Sequence, residues 1–170
     1  MATPSLFRDF LRSLKAEWAT SLPSVRPLEA ALDPVMPKAS TFYAGTSPSC
    51  GLHVFLHFQH SLKAYEVGQF TVNVWLSRRL GPPEPPAEPV TPSDSSAVPG
   101  RYRIGWLCGY GKDKWWHLKK DRAPKYIEAW RPSSYEDQNM VIQEAVADVS
   151  HDVKAVLSNL GISGGAKQGA

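Results

Sequence analysis

Three histidines, His53, His57 and His60, crowd one short stretch and are the first side chains in this sequence that could bind a metal. Zinc requires imidazole nitrogens about 2 Å from one centre. Around these residues the pattern alternates, with Leu52, Val54, Leu56 and Phe58 separated by His53, Phe55, His57 and Gln59. A two-residue period marks a strand, and along a strand residues four apart lie about 13 Å from each other. His53 and His57 then cannot share one ion. His60, an odd number of steps beyond His57, points to the opposite face. The pattern predicts no metal site, and no motif asks for a cofactor.

Residues 101–125 are the second chemical candidate. Arg101, Arg103, Lys112, Lys114, Lys119, Lys120, Arg122 and Lys125 stand against only Asp113 and Asp121, with Tyr102, Trp106, Tyr110, Trp115 and Trp116 interleaved. Cations with stacking rings can hold a single-stranded nucleic acid or an acidic partner. Lysines on an edge strand also block edge-to-edge pairing, and that plainer role is favoured over nucleic-acid binding. Trp115 and Trp116 are adjacent, so on a strand they face opposite sides. One must enter the core; the other lies under a covering element or is exposed as an anchor for a partner.

Catalytic signatures are missing. The chain has no Gly-x-Ser-x-Gly elbow and no His-Glu-x-x-His helix. Gly109-Tyr110-Gly111 is too short for a dinucleotide loop and lies between strands. Cys108 and His117 could approach across a hairpin, but a lone thiol without an orienting group reads as a small core residue.

The elements that must carry these residues are legible from periodicity. Leu6, Phe7, Phe10, Leu11, Leu14, Trp18 and Leu22 line one face of a helix that starts at Thr3-Pro4 and stops at Pro23. A short helix is expected over Pro27 to Leu32. Strands are expected over 41–45, 52–59, 70–77, from Arg101 through Cys108, and over 114–119, with 61–68 as a hairpin connection. Residues 80–100 hold seven of the fifteen prolines and read as an extended excursion, disordered or used for contact. A final helix carries Val141, Ile142, Ala145, Val146, Val149, Val153, Val156, Leu157 and Leu160, with Ser133 and Glu136 as its capping box and Gly161 as its stop. The tail at 162–170 is expected to fray. The layout is α+β: an antiparallel meander of about five strands packed with an N-terminal and a C-terminal amphipathic helix.

At 170 residues, 42% hydrophobic and 21% charged, the composition fits one globular domain over 1–170. A net charge of +3 is too small to point to nucleic acid by itself. Cys50 and Cys108 do not make a disulfide framework. With no signal-like segment and no long apolar run, the expectation is a soluble, cytoplasmic protein without a membrane partner.

The runs Thr41-Phe42-Tyr43, His57-Phe58-Gln59, Phe70-Thr71-Val72-Asn73-Val74, Arg103-Ile104-Gly105 and Asp113-Lys114-Trp115-Trp116 resemble a bacterial domain-of-unknown-function family, the one numbered 4304, over roughly residues 6–160. The Pro-rich insert departs from that family's compact pattern. The resemblance implies no established activity and gives no catalytic residues; some members look like immunity proteins near toxin genes.

Two functional readings follow. The favoured one is a non-enzymatic module of immunity or regulatory type that binds another protein through the sheet face carrying Asn73, Trp75, Arg103 and Trp115. The alternative is a small hydrolase or ligand-binding enzyme with a pocket on the polar face of His53, His57, Asn73 and Asp113. The sequence leaves open the choice between enzyme and binder, the partner and the oligomeric state.

Overall fold

The computed structural model describes residues 6–28, 40–60, 69–80, 99–119 and 129–162. The chain forms α1 (Leu6–Ser21), β1 (Arg26–Pro27), β2 (Thr41–Thr46), β3 (His53–His60), β4 (Gln69–Ser77), β5 (Gly100–Arg103), α2 (Ile104–Leu107), β6 (Trp115–His117) and α3 (Gln138–Asn159). This is the expected α+β architecture. The Thr3-Pro4 start signal, residues 29–39 with all but the first two residues of the helix expected over Pro27 to Leu32, the 61–68 connection, the Pro-rich stretch at 81–98, residues 120–128 and the tail from 163 lie outside the described residues.

The strands pair antiparallel in the order β1-β2-β3-β4-β5, and β6 also pairs with β4. Alternation sends Phe42, Val54, Leu56, Phe58, Phe70, Val72, Val74, Leu76, Tyr102 and Trp116 to one face, where all are buried. The apolar stripes of α1 and α3 pack on that face in the same core. Rings knit the layers together. Phe10 lies 4.5 Å from Phe70, Trp18 meets Phe42 edge-on at 5.0 Å, and Phe70 stacks on Trp116 at 5.4 Å. The indole N–H of Trp18 donates to Ser150 Oγ at 2.8 Å, tying α1 to α3 across 132 residues of sequence. The second face holds a smaller apolar cluster of Phe55 and Trp75, with Leu28 and Tyr43 against it.

Three local expectations are corrected. Pro27 belongs to an edge strand, where its missing N–H is harmless, instead of opening a helix. Arg26 and Pro27 pair with Tyr43 and Phe42, and Leu28 N–H donates to the Thr41 carbonyl at 3.1 Å. The strand expected through Cys108 ends at Arg103, and the chain turns helical at Ile104. The cap of α3 is Asp137, whose Oδ1 accepts from the N–H groups of Asn139 (3.0 Å) and Met140 (3.4 Å). Ser133 instead donates both its N–H and its hydroxyl to the Glu144 carboxylate, at 3.2 and 3.0 Å.

Several other local expectations hold among the described residues. Residues 53–60 are strand, Trp115 and Trp116 face opposite sides, and Gly161 ends the last helix with φ +76°. Among the described residues, no helix is long and apolar enough to cross a membrane.

Candidate functional site

β5 and β6 are two pieces of one strand. Arg103 pairs with Asn73 and Trp115 with Thr71, so only Val72 of β4 separates the point where the chain leaves the sheet from the point where it returns. Residues 104–114 are extruded between them as a compact loop of Ω type, with close ends and internal packing.

Four features fix its shape. Ile104 is fully buried and anchors the neck. Gly105 lies against the backbone of residues 112–114. Cys108 N–H donates to Ile104 O at 2.9 Å, and Tyr110 N–H donates to Gly105 O at 3.0 Å. Gly109 and Gly111 take φ of +84° and +73°, a region open to glycine at little cost. The loop presents Trp106 and Tyr110 to solvent, at 40% and 45% exposure.

The base of the loop is an ionic cluster against α3. Lys114 Nζ lies 2.7 Å from Asp148 Oδ2 and 2.7 Å from Asp152 Oδ2. It also sits 5.0 Å from the ring centres of both Tyr110 and Trp116. Tyr110 donates its hydroxyl to Asp152 Oδ1 at 2.6 Å, and Trp116 donates its N–H to Asp148 Oδ2 at 2.9 Å.

These contacts set the protonation states. Burial works against the Lys114 ammonium, but the hydrogen bonds to Asp148 and Asp152 outweigh it and raise its pKa above the ordinary lysine value. The hydrogen bond to Asp152, with burial behind it, pushes the Tyr110 phenol up to about 12. Burial first, and then the Asp152 charge, push the Cys108 thiol up to about 12. Near pH 7 the lysine therefore stays charged while the phenol and thiol stay protonated. The cluster offers neither an amine nor a thiolate nucleophile.

Beside this cluster opens a cavity of about 340 Å³ lined by Tyr110, Lys112, Asp113, Lys114 and Trp130. Trp130, one of the lining residues, bridges to β6. It donates its N–H to Trp115 O at 2.6 Å and accepts from His117 N–H at 3.0 Å. Asp113 joins the cavity to the second sheet face, because Oδ1 accepts from the Trp106 indole at 3.2 Å and Oδ2 lies 3.5 Å from Arg103 Nε.

The residues singled out by sequence share that second face but form separate groups. Asn73 donates to Gln59 Oε1 at 2.8 Å, and Arg103 Nη1 donates to Gln59 Oε1 at 3.3 Å and to Asn73 Oδ1 at 3.2 Å. The Arg103 guanidinium stands 5.4 Å from the Trp115 ring. His57 packs on Trp75 at 5.2 Å, and Arg101 stands 5.9 Å from the Trp75 ring. Burial, with the charges of Arg101 and His60 adding to it, lowers the His57 pKa to about 4. His53, at the start of β3, has Nδ1 2.9 Å from the Tyr43 hydroxyl and 3.2 Å from Thr46 Oγ1. His60 faces the helices, 5.2 Å from Phe7. Asn73, Trp75 and Trp115 are 0%, 1% and 5% exposed. Of the seven candidates, Asp113 lines the cavity.

Sequence reasoning named Trp106 and Tyr110 only as rings interleaved in the basic stretch, left Trp130 unplaced, and missed Asp148 and Asp152. The only sequence signal for the loop was Gly109 and Gly111 flanking Tyr110. For the two acids there was an i, i+4 spacing on the final helix. No family model, no curated protein and no solved structure matches this chain.

Proposed function

We propose that this chain is a non-enzymatic binding module of regulatory or immunity type that docks a partner protein on the loop 104–114. The observation that carries the reading is an internally hydrogen-bonded excursion from the strand β5–β6 that exposes two large aromatic side chains beside a cavity. Exposed aromatics on a preorganised loop are the usual anchors of protein interfaces, because their rings bury much area at small entropic cost.

The disposition of charge supports binding over catalysis. Lys114, Tyr110 and Cys108 are held away from titration near neutrality. Of the groups of the hydrolase alternative, Asp113 lines the cavity and shares Arg103 with Asn73, while His53 and His57 make their own local contacts and are not among the lining residues. The nucleic-acid reading also loses support. Among the described residues, Arg101 and Arg103 lie against Trp75 and Trp115, and Lys114 is turned toward α3, so these three cations of the stretch are engaged within the fold.

Affinity capture from the source cell extract tests the proposal. The unmodified chain should retain one protein in stoichiometric amount, and Trp106→Ala should reduce its retention at least tenfold while leaving the fold intact. Recovery of no stoichiometric partner, or equal recovery by Trp106→Ala, defeats it.

A further inference from the structure

We infer that Asp113, held in turn by Arg103 and Asn73, is a positioning residue that fixes the exposed Trp106 indole in one orientation before a partner arrives. The inference rests on the binding reading above and names what orients its anchor.

A line of polar contacts runs from the middle of the sheet to the surface of the loop. It starts on β3 and β4, where Gln59 Oε1 accepts from Asn73 Nδ2 at 2.8 Å. Arg103, on the neighbouring β5, donates through Nη1 to Gln59 Oε1 at 3.3 Å and to Asn73 Oδ1 at 3.2 Å. Its Nε lies 3.5 Å from Asp113 Oδ2. The other oxygen of that carboxylate, Oδ1, accepts from the Trp106 indole at 3.2 Å. Exposure rises along the line, from 0% at Asn73 to 18% for the Arg103 side chain and 41% for that of Asp113. The inner end is therefore fixed by three paired strands, and the outer end holds a ring that meets solvent. Asn73 is out of a partner's reach and contributes by holding Arg103.

Stability alone does not account for the outer contacts. Water would satisfy a surface indole N–H and a surface carboxylate equally well, and a partly exposed ion pair contributes little. What water does not do is select a rotamer. The backbone at Trp106 is already set, because α2 is held by Gly105 against residues 112–114 and by the Cys108 N–H on Ile104 O. The freedom left to Trp106 is that of its side-chain torsions, and the bond to Asp113 constrains them. A ring already held in one orientation spares the ordering entropy on docking, which amounts to about two- to tenfold in affinity. Support of this kind, from side chains locked on regular strands, is what makes a binding group rigid.

NMR relaxation of the tryptophan indole N–H groups in the full chain tests this, with the Trp106 signal assigned by its loss in Trp106→Phe. In the unmodified protein the Trp106 indole should have an order parameter near that of rigid backbone, about 0.85, and Asp113→Ala should drop it below about 0.6. Asp113→Asn keeps an oxygen for the indole but loses the charge facing Arg103, and should fall between the two. Arg103→Gln should loosen the indole as well, although Asp113 is intact. Backbone order in residues 104–112 and the urea midpoint should be unchanged in Asp113→Ala, a combination that a purely structural role would not give. In affinity capture, Asp113→Ala should retain about two- to tenfold less partner.

A mobile indole in the unmodified protein, an indole as ordered in Asp113→Ala or Arg103→Gln as before, or loss of backbone order along with indole order overturns the inference. If capture depends on Trp106 but not on Asp113, the inference falls and the binding reading stands. If no partner is captured while Asp113 is found to order the indole, the binding reading falls and the positioning of Trp106 stands.

Discussion

The backbone carbonyl of Lys112 stands where a β-carbon on Gly105 would have to go, and the Lys114 nitrogen would be only 2.7 Å away. This approach closes the neck of the loop and lets the chain re-enter the sheet one residue of β4 from where it left. The obstructing atoms are backbone and cannot rotate aside. Gly105→Ala should therefore destabilise the protein by about 1–3 kcal/mol. Urea unfolding measures it, and amide exchange should show added loss of protection in residues 104–114. Unchanged stability would mean that the neck is looser than described.

Asp152 is buried and accepts from Tyr110 and Lys114 at 2.6 and 2.7 Å. Asp152→Asn keeps the shape but removes one of two charges facing the Lys114 ammonium. With Asp148 still in place, the loss should be about 1–3 kcal/mol, short of what an uncompensated buried charge costs. Chemical denaturation of Asp152→Asn, Asp148→Asn and the double variant gives the coupling, and the double should lose more than the sum of the singles.

His57 gives a pH dependence of known sign. Its folded pKa is lowered from the ordinary 6.5 to about 4. Between those values the unfolded chain binds the proton and the folded chain does not. The contribution is therefore fully present above pH 6.5 and is lost as pH falls toward 4, by about 3 kcal/mol in total. His57→Gln should flatten the stability profile in that window. An unchanged slope in the variant would assign the acid sensitivity to other groups.

The amide of Gln69 is fully buried, opposite His117, and neither its oxygen nor its nitrogen has a hydrogen-bond partner among the described residues. An orphaned buried amide costs more than an apolar group of the same shape. Gln69→Met should raise stability by about 1–2 kcal/mol, read as a higher denaturation midpoint at constant slope. Destabilisation would show that the amide is satisfied in solution.

Cys108 should be slow to alkylate. With its thiol raised from the ordinary 9.0 to about 12, the thiolate fraction at pH 8 falls on the order of a thousandfold below that of an ordinary thiol. Mass spectrometry of iodoacetamide-treated native protein should find Cys108 unmodified long after a control peptide has reacted. Asp152→Asn should speed it.

The alternation of residues 53–60 and 69–77 and the three-and-four spacing of α1 and α3 were enough to give the fold class, the core face and the split of Trp115 from Trp116. These are local periods, and a period determines which side chains share a face. The same rule placed Tyr102 correctly but carried its strand on through Ile104, Trp106 and Cys108, which alternate like a strand although the chain leaves the sheet after Arg103. Ile104 is anchored in the core and Gly105 accepts the returning backbone, and neither contact leaves a periodic trace.

Three-dimensional packing alone decided which aromatics meet solvent. Trp75 and Trp115 are covered on the second face, while Trp106 and Tyr110 are held out by the loop. Packing alone also assembled the Lys114 cluster and its cavity. Their members come from the loop, from α3 and from Trp130, and only the closed fold brings those segments together.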